Sequence, residues 1–219
     1  AHVRPLHDRA VQRGFAAVDP ALTKAVPGAG SNVDDLSFAS NAHTACLPEA
    51  IVPKLAQALG LGGPCYAIDA ACASFLYGLK LAAYHIHSGA ARQMIVVAAN
   101  ASDQLFLAYG LTAVQALART GRSRPFDASS DGLTPGVGAV AMVVGAAPET
   151  ARHPPHGVIR SIGLSSDGRG QHLTAPNPKG QLLACRRALE EGGIAAGSVE
   201  FVECHATGTP VGDRTELEL

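Results

Sequence analysis

The stretch Ala67-Ile68-Asp69-Ala70-Ala71-Cys72-Ala73-Ser74 decides the reading of this chain. It runs from the end of a short strand expected over residues 65–69 into a helix expected over residues 73–88. A cysteine at that junction feels the positive end of the helix dipole, which favours thiolate over thiol. The small neighbours leave room for a substrate to approach. First-turn N–H groups, free of intrahelical partners, can stabilise an oxyanion. Taken alone, the segment fits equally well a small buried cysteine with no reactivity.

Outward from Cys72 the chain alternates between strands and helices. Residues 94–99 and 138–144 are continuous apolar runs, as expected for strands buried on both faces. Residues 48–59 predict a helix, with Ile51, Leu55 and Leu59 spaced by four. In residues 73–88 the stripe is Leu76, Leu79, Ala83 and Ile86, and Gly89 stops the helix. Residues 105–118 read as a broken helix and 119–131 as a loop. Residues 179–192 read as a helix, with Leu182, Cys185 and Leu189 inward and Gly192–Gly193 as terminator. Residues 157–163 and 199–203 are expected strands, and residues 1–45 are weakly patterned. The alternation indicates an α/β fold with a covered sheet.

The 219 residues can bury one sizeable core. Apolar residues make up 47%, which excludes disorder, and the net charge of −1 lacks the basic stripe of a nucleic-acid surface. No apolar run reaches the length of a membrane span. Five cysteines without a C-x-x-C pair fit a reducing, cytoplasmic setting, and neither they nor the nine histidines form a metal pattern.

Two more segments carry chemistry. In Glu203-Cys204-His205-Ala206-Thr207-Gly208-Thr209-Pro210-Val211-Gly212-Asp213 a histidine leaves a strand for a Gly/Thr/Pro loop, where it can meet a cysteine from another strand end. A turn capped by threonines explains the loop but does not require His205. The third segment, Arg124-Pro125-Phe126-Asp127 through Asp131-Gly132 to Gly136-Val137-Gly138, precedes a strand rather than a helix, so it is no nucleotide loop.

Together and in this order, the three segments resemble the β-ketoacyl synthase family, the condensing domain of fatty-acid and polyketide synthases. IDAACAS is similar to the family's D-T-A-C-S-S, RPFDASSDGLTPGVGA to its R-P-F-D…D-G-F-x-x-G-E-G-A, and ECHATGTPVGD to its E-x-H-G-T-G-T-x-x-G-D. GLSSDGRGQHLTAPNPKGQ resembles the stretch between the last two. The wording is closer to multidomain iterative synthases, such as those making polyunsaturated fatty acids, than to stand-alone enzymes.

The resemblance implies a thiolase-like layered α/β/α/β/α fold, with residues 1–219 a single ketosynthase domain lacking the family's opening and closing segments. It implies that Cys72 accepts the acyl group and that His205 is the first of two catalytic histidines. Thr207 and Thr209 would contact the phosphopantetheine arm, and Glu216 would support the site. The family's second histidine, its lysine and its Gly-Phe-Gly-Gly loop have no counterpart in these residues.

No cofactor or metal is implied for the chain itself. The phosphopantetheine belongs to an acyl carrier protein, the implied partner, which delivers acyl and malonyl thioesters to a homodimer. Two residues depart from the pattern: Phe75 replaces a common Ser, and Val137 replaces the Glu of the G-E-G turn. The competing readings are a non-decarboxylating thiolase and a non-catalytic ketosynthase-like scaffold.

Overall fold

The computed structural model describes residues 48–100, 104–146, 154–168 and 175–219. Expectations for residues 1–45, and part of the resemblance at residues 169–174, lie outside the described residues. The chain divides into two compact units, Ala1–Asp69 and Ala70–Leu219. In the first unit, helix α1 spans Pro48–Ala58 and carries Pro53 inside it. Its periodicity is as expected, but Ile51 and Leu55 are exposed and Ala56 is the buried position.

The second unit opens with a 3-10 turn, Ala71–Ala73, that feeds directly into helix α2, Ser74–His87. Strand β1 (Gln93–Asn100) and strand β2 (Gly138–Gly145) form an antiparallel pair with Val96 opposite Met142. Between them lie helix α3, Gln104–Ala113, and a long loop that closes back through a parallel bridge from Leu117 to Leu133. Helix α4 (Pro178–Gly192) and helix α5 (Pro210–Leu217) complete the unit.

Helix α2 packs on one face of the β1–β2 pair through Leu79, Ala82 and Val96, with Phe75, Met94, Val144 and Ile162 around them. The buried face of α2 is therefore Leu79, Ala82 and Ile86, while Leu76 stays more than half exposed. The expectation of strands buried on both faces is corrected here. Side chains alternate across a strand, and only one face meets α2, so Ile95, Val97 and Val143 on the other face are exposed.

Three expected strands, residues 65–69, 157–163 and 199–203, join no ladder among the described residues. Their apolar residues supply one requirement of a strand; the other is a neighbouring backbone to pair with. Residues 157–163 instead lean on α4. A Cβ at Gly163 would collide with the Ala184 carbonyl oxygen, so only glycine permits this approach. Ser161 Oγ donates to the Ala188 carbonyl at 2.6 Å and Arg187 Nη1 to the Leu164 carbonyl at 2.6 Å. The contact face of α4 is thus the small-residue row Gly180, Ala184 and Ala188, not the expected Leu182 and Cys185, which are exposed. Asn177 caps this helix by accepting from Lys179 N–H at 3.0 Å, and the helix ends at the expected glycines.

Candidate active site

Cys72 lies in the 3-10 turn one step before α2. Ser74 ties that turn together: its Oγ accepts from Ala70 N–H at 2.9 Å and donates to the Ala71 carbonyl at 2.7 Å. Ala71, directly before the cysteine, has φ +49°, a left-handed conformation disfavoured for alanine. The turn thereby presents Cys72 outward, and the residue is exposed.

His205, 133 positions later in the sequence, meets this thiol. The two side chains lie close enough for His205 to act on the thiol through hydrogen bonding and charge. The hydrogen bonding lowers the Cys72 pKa below the usual thiol value; partial desolvation opposes the change, and the charge of His205 reinforces it. His205 moves the opposite way. Hydrogen bonding with Cys72 raises its pKa, partial desolvation opposes the rise, and the negative charges of Cys72 and Glu216 add to it. The directions match a thiolate–imidazolium pair, the activated form of a cysteine nucleophile.

The main chain around His205 is held from α5. Glu216 takes the His205 N–H on Oε1 at 2.6 Å and the Ala206 N–H on Oε2 at 2.8 Å. Ala206 has φ +48°, so this carboxylate holds a second alanine in the left-handed region. Next, Gly208 at φ +78° makes the turn that a larger residue would strain. Thr207 and Thr209 flank it, half-buried, with their hydroxyls 3.0 Å apart.

Asp213, 5% exposed, anchors the turn to the Arg124–Gly132 loop. Its Oδ1 accepts from Gly208 N–H at 3.0 Å and its Oδ2 from Phe126 N–H at 2.6 Å. Sequence reasoning singled out neither Asp213 nor Ser74 for a role. Asp213 had a signal, since it closes the quoted ECHATGTPVGD segment. Ser74 had one in its position at the start of a helix.

Of the five expected site residues, Cys72 and His205 come together, Glu216 braces the backbone of His205, and Thr207 and Thr209 line the next turn. Phe75 is half-buried against the α2–sheet core, where its bulk is accommodated. Val137 is 69% exposed in the loop before β2.

A cysteine at a helix start beside a histidine from the loop ahead of α5 is an arrangement suited to a cysteine nucleophile. The family model described as "Beta-ketoacyl synthase, N-terminal domain" matches residues 22–151, and "Beta-ketoacyl synthase, C-terminal domain" matches residues 156–219. The chain belongs to the beta-ketoacyl synthase family.

Among curated relatives, a polyunsaturated fatty acid synthase polypeptide of Thraustochytrium sp. is 37% identical over 171 residues, 75% of this chain and 8% of that protein. Among solved structures, the PfaC keto synthase–chain length factor is 42% identical with a TM-score of 0.71, over 74% of this chain and 18% of that one. The ketosynthase from module 6 of the bacillaene synthase of Bacillus subtilis 168 is 30% identical with a TM-score of 0.75, over 78% of this chain and 32% of that one. The fold is thiolase-like layered α/β, of which the chain accounts for a part. It spans 15% of the Aspergillus flavus cluster 41 polyketide synthase and 3% of the Burkholderia thailandensis polyketide synthase ThaG.

Proposed function

We propose that this chain is part of one ketosynthase domain that joins a Cys72-bound acyl group to a malonyl thioester by decarboxylative Claisen condensation. The observation that carries this reading is the juxtaposition of Cys72 and His205, which lowers the cysteine pKa and raises the histidine pKa. Family membership selects ketosynthase chemistry from among the uses of such a pair.

In the first half-reaction the Cys72 thiolate attacks the carbonyl of an acyl thioester. The tetrahedral intermediate expels the carrier thiolate, which takes up a proton, and the acyl group stays on Cys72. In the second, a malonyl thioester loses its carboxylate as carbon dioxide. The electron pair left behind forms an enolate, whose charge a hydrogen bond from His205 stabilises at the thioester oxygen. The enolate carbon bonds to the acyl carbonyl, the C–S bond to Cys72 breaks, and the thiolate returns with a 3-ketoacyl thioester as product. Oxidation states balance without a redox cofactor.

The substrates arrive on the phosphopantetheine of an acyl carrier protein. Thr207 and Thr209 suit that arm, because in this half-buried pair one hydroxyl donates to the other, leaving one O–H to donate to an amide carbonyl of the arm and lone pairs to accept from its N–H. Glu216 acts as a support by fixing the His205 backbone. The working form is a cytoplasmic homodimer. Among the described residues, no helix is long and apolar enough to cross a membrane.

The test is acyl loading and condensation by the native full-length protein. Cys72→Ala should lower loading by at least about a thousandfold. His205→Ala should retain partial loading and lose condensation. A Cys72→Ala protein that still condenses acyl and malonyl thioesters would refute the reading, and condensation without malonyl decarboxylation would favour the thiolase alternative.

A further inference from the structure

The loop between α3 and β2 grips the His205 turn at two successive carbonyls: that of Thr207, which accepts from the Ser123 hydroxyl at 3.4 Å, and that of Gly208. The Gly208 carbonyl accepts from Gly132 N–H at 3.0 Å and also from the Ser130 hydroxyl. The Gly208 N–H is already taken by Asp213. Gly208 is buried and Ser130 half-buried, so water competes weakly for these bonds. Thr207 and Thr209 sit on either side of this clamped residue with their hydroxyls in contact.

We infer that Ser130 is a positioning residue: through the Gly208 carbonyl it sets the tilt of the Gly208–Thr209 peptide, hence the place of Thr209 beside Thr207, and so the affinity for the pantetheine arm. This rests on the proposed role of the two threonines. The physical reason is the softness of glycine. A Gly208 peptide held by one donor can rotate about its flanking dihedrals, whereas two converging donors fix the carbonyl direction. Rotation would move Thr209 relative to Thr207. His205 would stay in place, because its own N–H is held by Glu216. The effect therefore falls on substrate affinity rather than on thiol reactivity.

The experiment compares Ser130→Thr with Ser130→Val in the full-length protein, using a malonyl-pantetheine thioester as probe. Threonine and valine have nearly the same shape, and only threonine keeps the hydroxyl. Ser130→Val should raise KM roughly fivefold, the equivalent of one neutral hydrogen bond, with kcat changed less than about twofold. Ser130→Thr should stay within about twofold of the unsubstituted protein in both constants. The pH midpoint of Cys72 alkylation by iodoacetamide should be the same in all three.

Equal KM values for the Thr and Val variants would overturn the inference, as would an altered alkylation midpoint with KM unchanged. If Ser130→Val melts before assay temperature, Ser130→Ala replaces it, with the same expected KM rise. If the unsubstituted protein loads acyl groups from acyl-pantetheine but forms no condensation product, the functional reading fails instead. The KM of that loading step then decides the role of Ser130 by the same comparison.

Discussion

The turn holding Cys72 and the turn holding His205 bring their two side chains together, but they are built differently. Each places an alanine in the left-handed region beside its reactive residue, Ala71 at φ +49° and Ala206 at φ +48°. Each such residue costs on the order of 1–2 kcal/mol. Around Cys72 the compensation is local. Ser74 supplies two hydrogen bonds within four residues, and α2 follows at once.

Around His205 the compensation comes from farther along the chain. Glu216 bonds from 11 residues away, Asp213 reaches Phe126 across 87, and Ser130 reaches Gly208 across 78. The nucleophile's turn can therefore form as soon as α2 does. The histidine's turn forms only when the loop from 124 to 132 and helix α5 are both docked.

The largest test of this contrast is where the two turns meet. His205→Ala should move the pH profile of Cys72 alkylation to higher pH, because hydrogen bonding to His205 is the main cause of the lowered thiol pKa. The signs are these. A depressed cysteine pKa keeps thiolate present as pH falls, until the folded-state value is crossed. A raised histidine pKa keeps imidazolium present as pH rises, until its own folded-state value is crossed. The pair should be most reactive between those two points. An unmoved profile in His205→Ala would show that the turn and helix dipole alone activate Cys72.

Stability comes next. Asp213→Ala removes a buried carboxylate from two backbone donors and should cost about 3 kcal/mol in denaturant unfolding, with Asp213→Asn intermediate. Ser74→Ala should cost only about 1 kcal/mol, the range of a local cap. If the Ser74 change costs as much as the Asp213 change, the contrast between a local and a long-range turn fails. The smallest effect expected is Ala206→Gly. It should stabilise by up to about 1 kcal/mol, because glycine relieves the left-handed strain, although its greater freedom when unfolded offsets part of the gain.

The candidate site was more legible in the sequence than the sheet was. Cys72 and His205 could be named because their chemistry is carried by residue type within short motifs, whereas Glu216 was named only through the family resemblance. Helices α2 and α4 could be placed to within a residue or two, since helical periodicity and glycine stops are local signals. Their buried faces were harder. On α4 the row that packs is Gly180, Ala184 and Ala188, chosen by the close approach of Gly163, which no periodicity of large apolar residues reveals. The apolar runs 94–99 and 138–144 marked strands but not their partnership, because nothing in either run specifies that they pair antiparallel with one face on α2.

By itself, the sequence determined which residues could react: a cysteine before a helix, and a histidine leaving a strand for a Gly/Thr/Pro loop; the two threonines and the carboxylate gained roles only through the family resemblance. Only the tertiary structure decided that Cys72 and His205 come together, and that Asp213 and Ser130 brace the turn beside them. The reason is range. A helix start or a reactive side chain is specified within a few residues, whereas a hydrogen bond across 87 positions exists only after the intervening chain has folded.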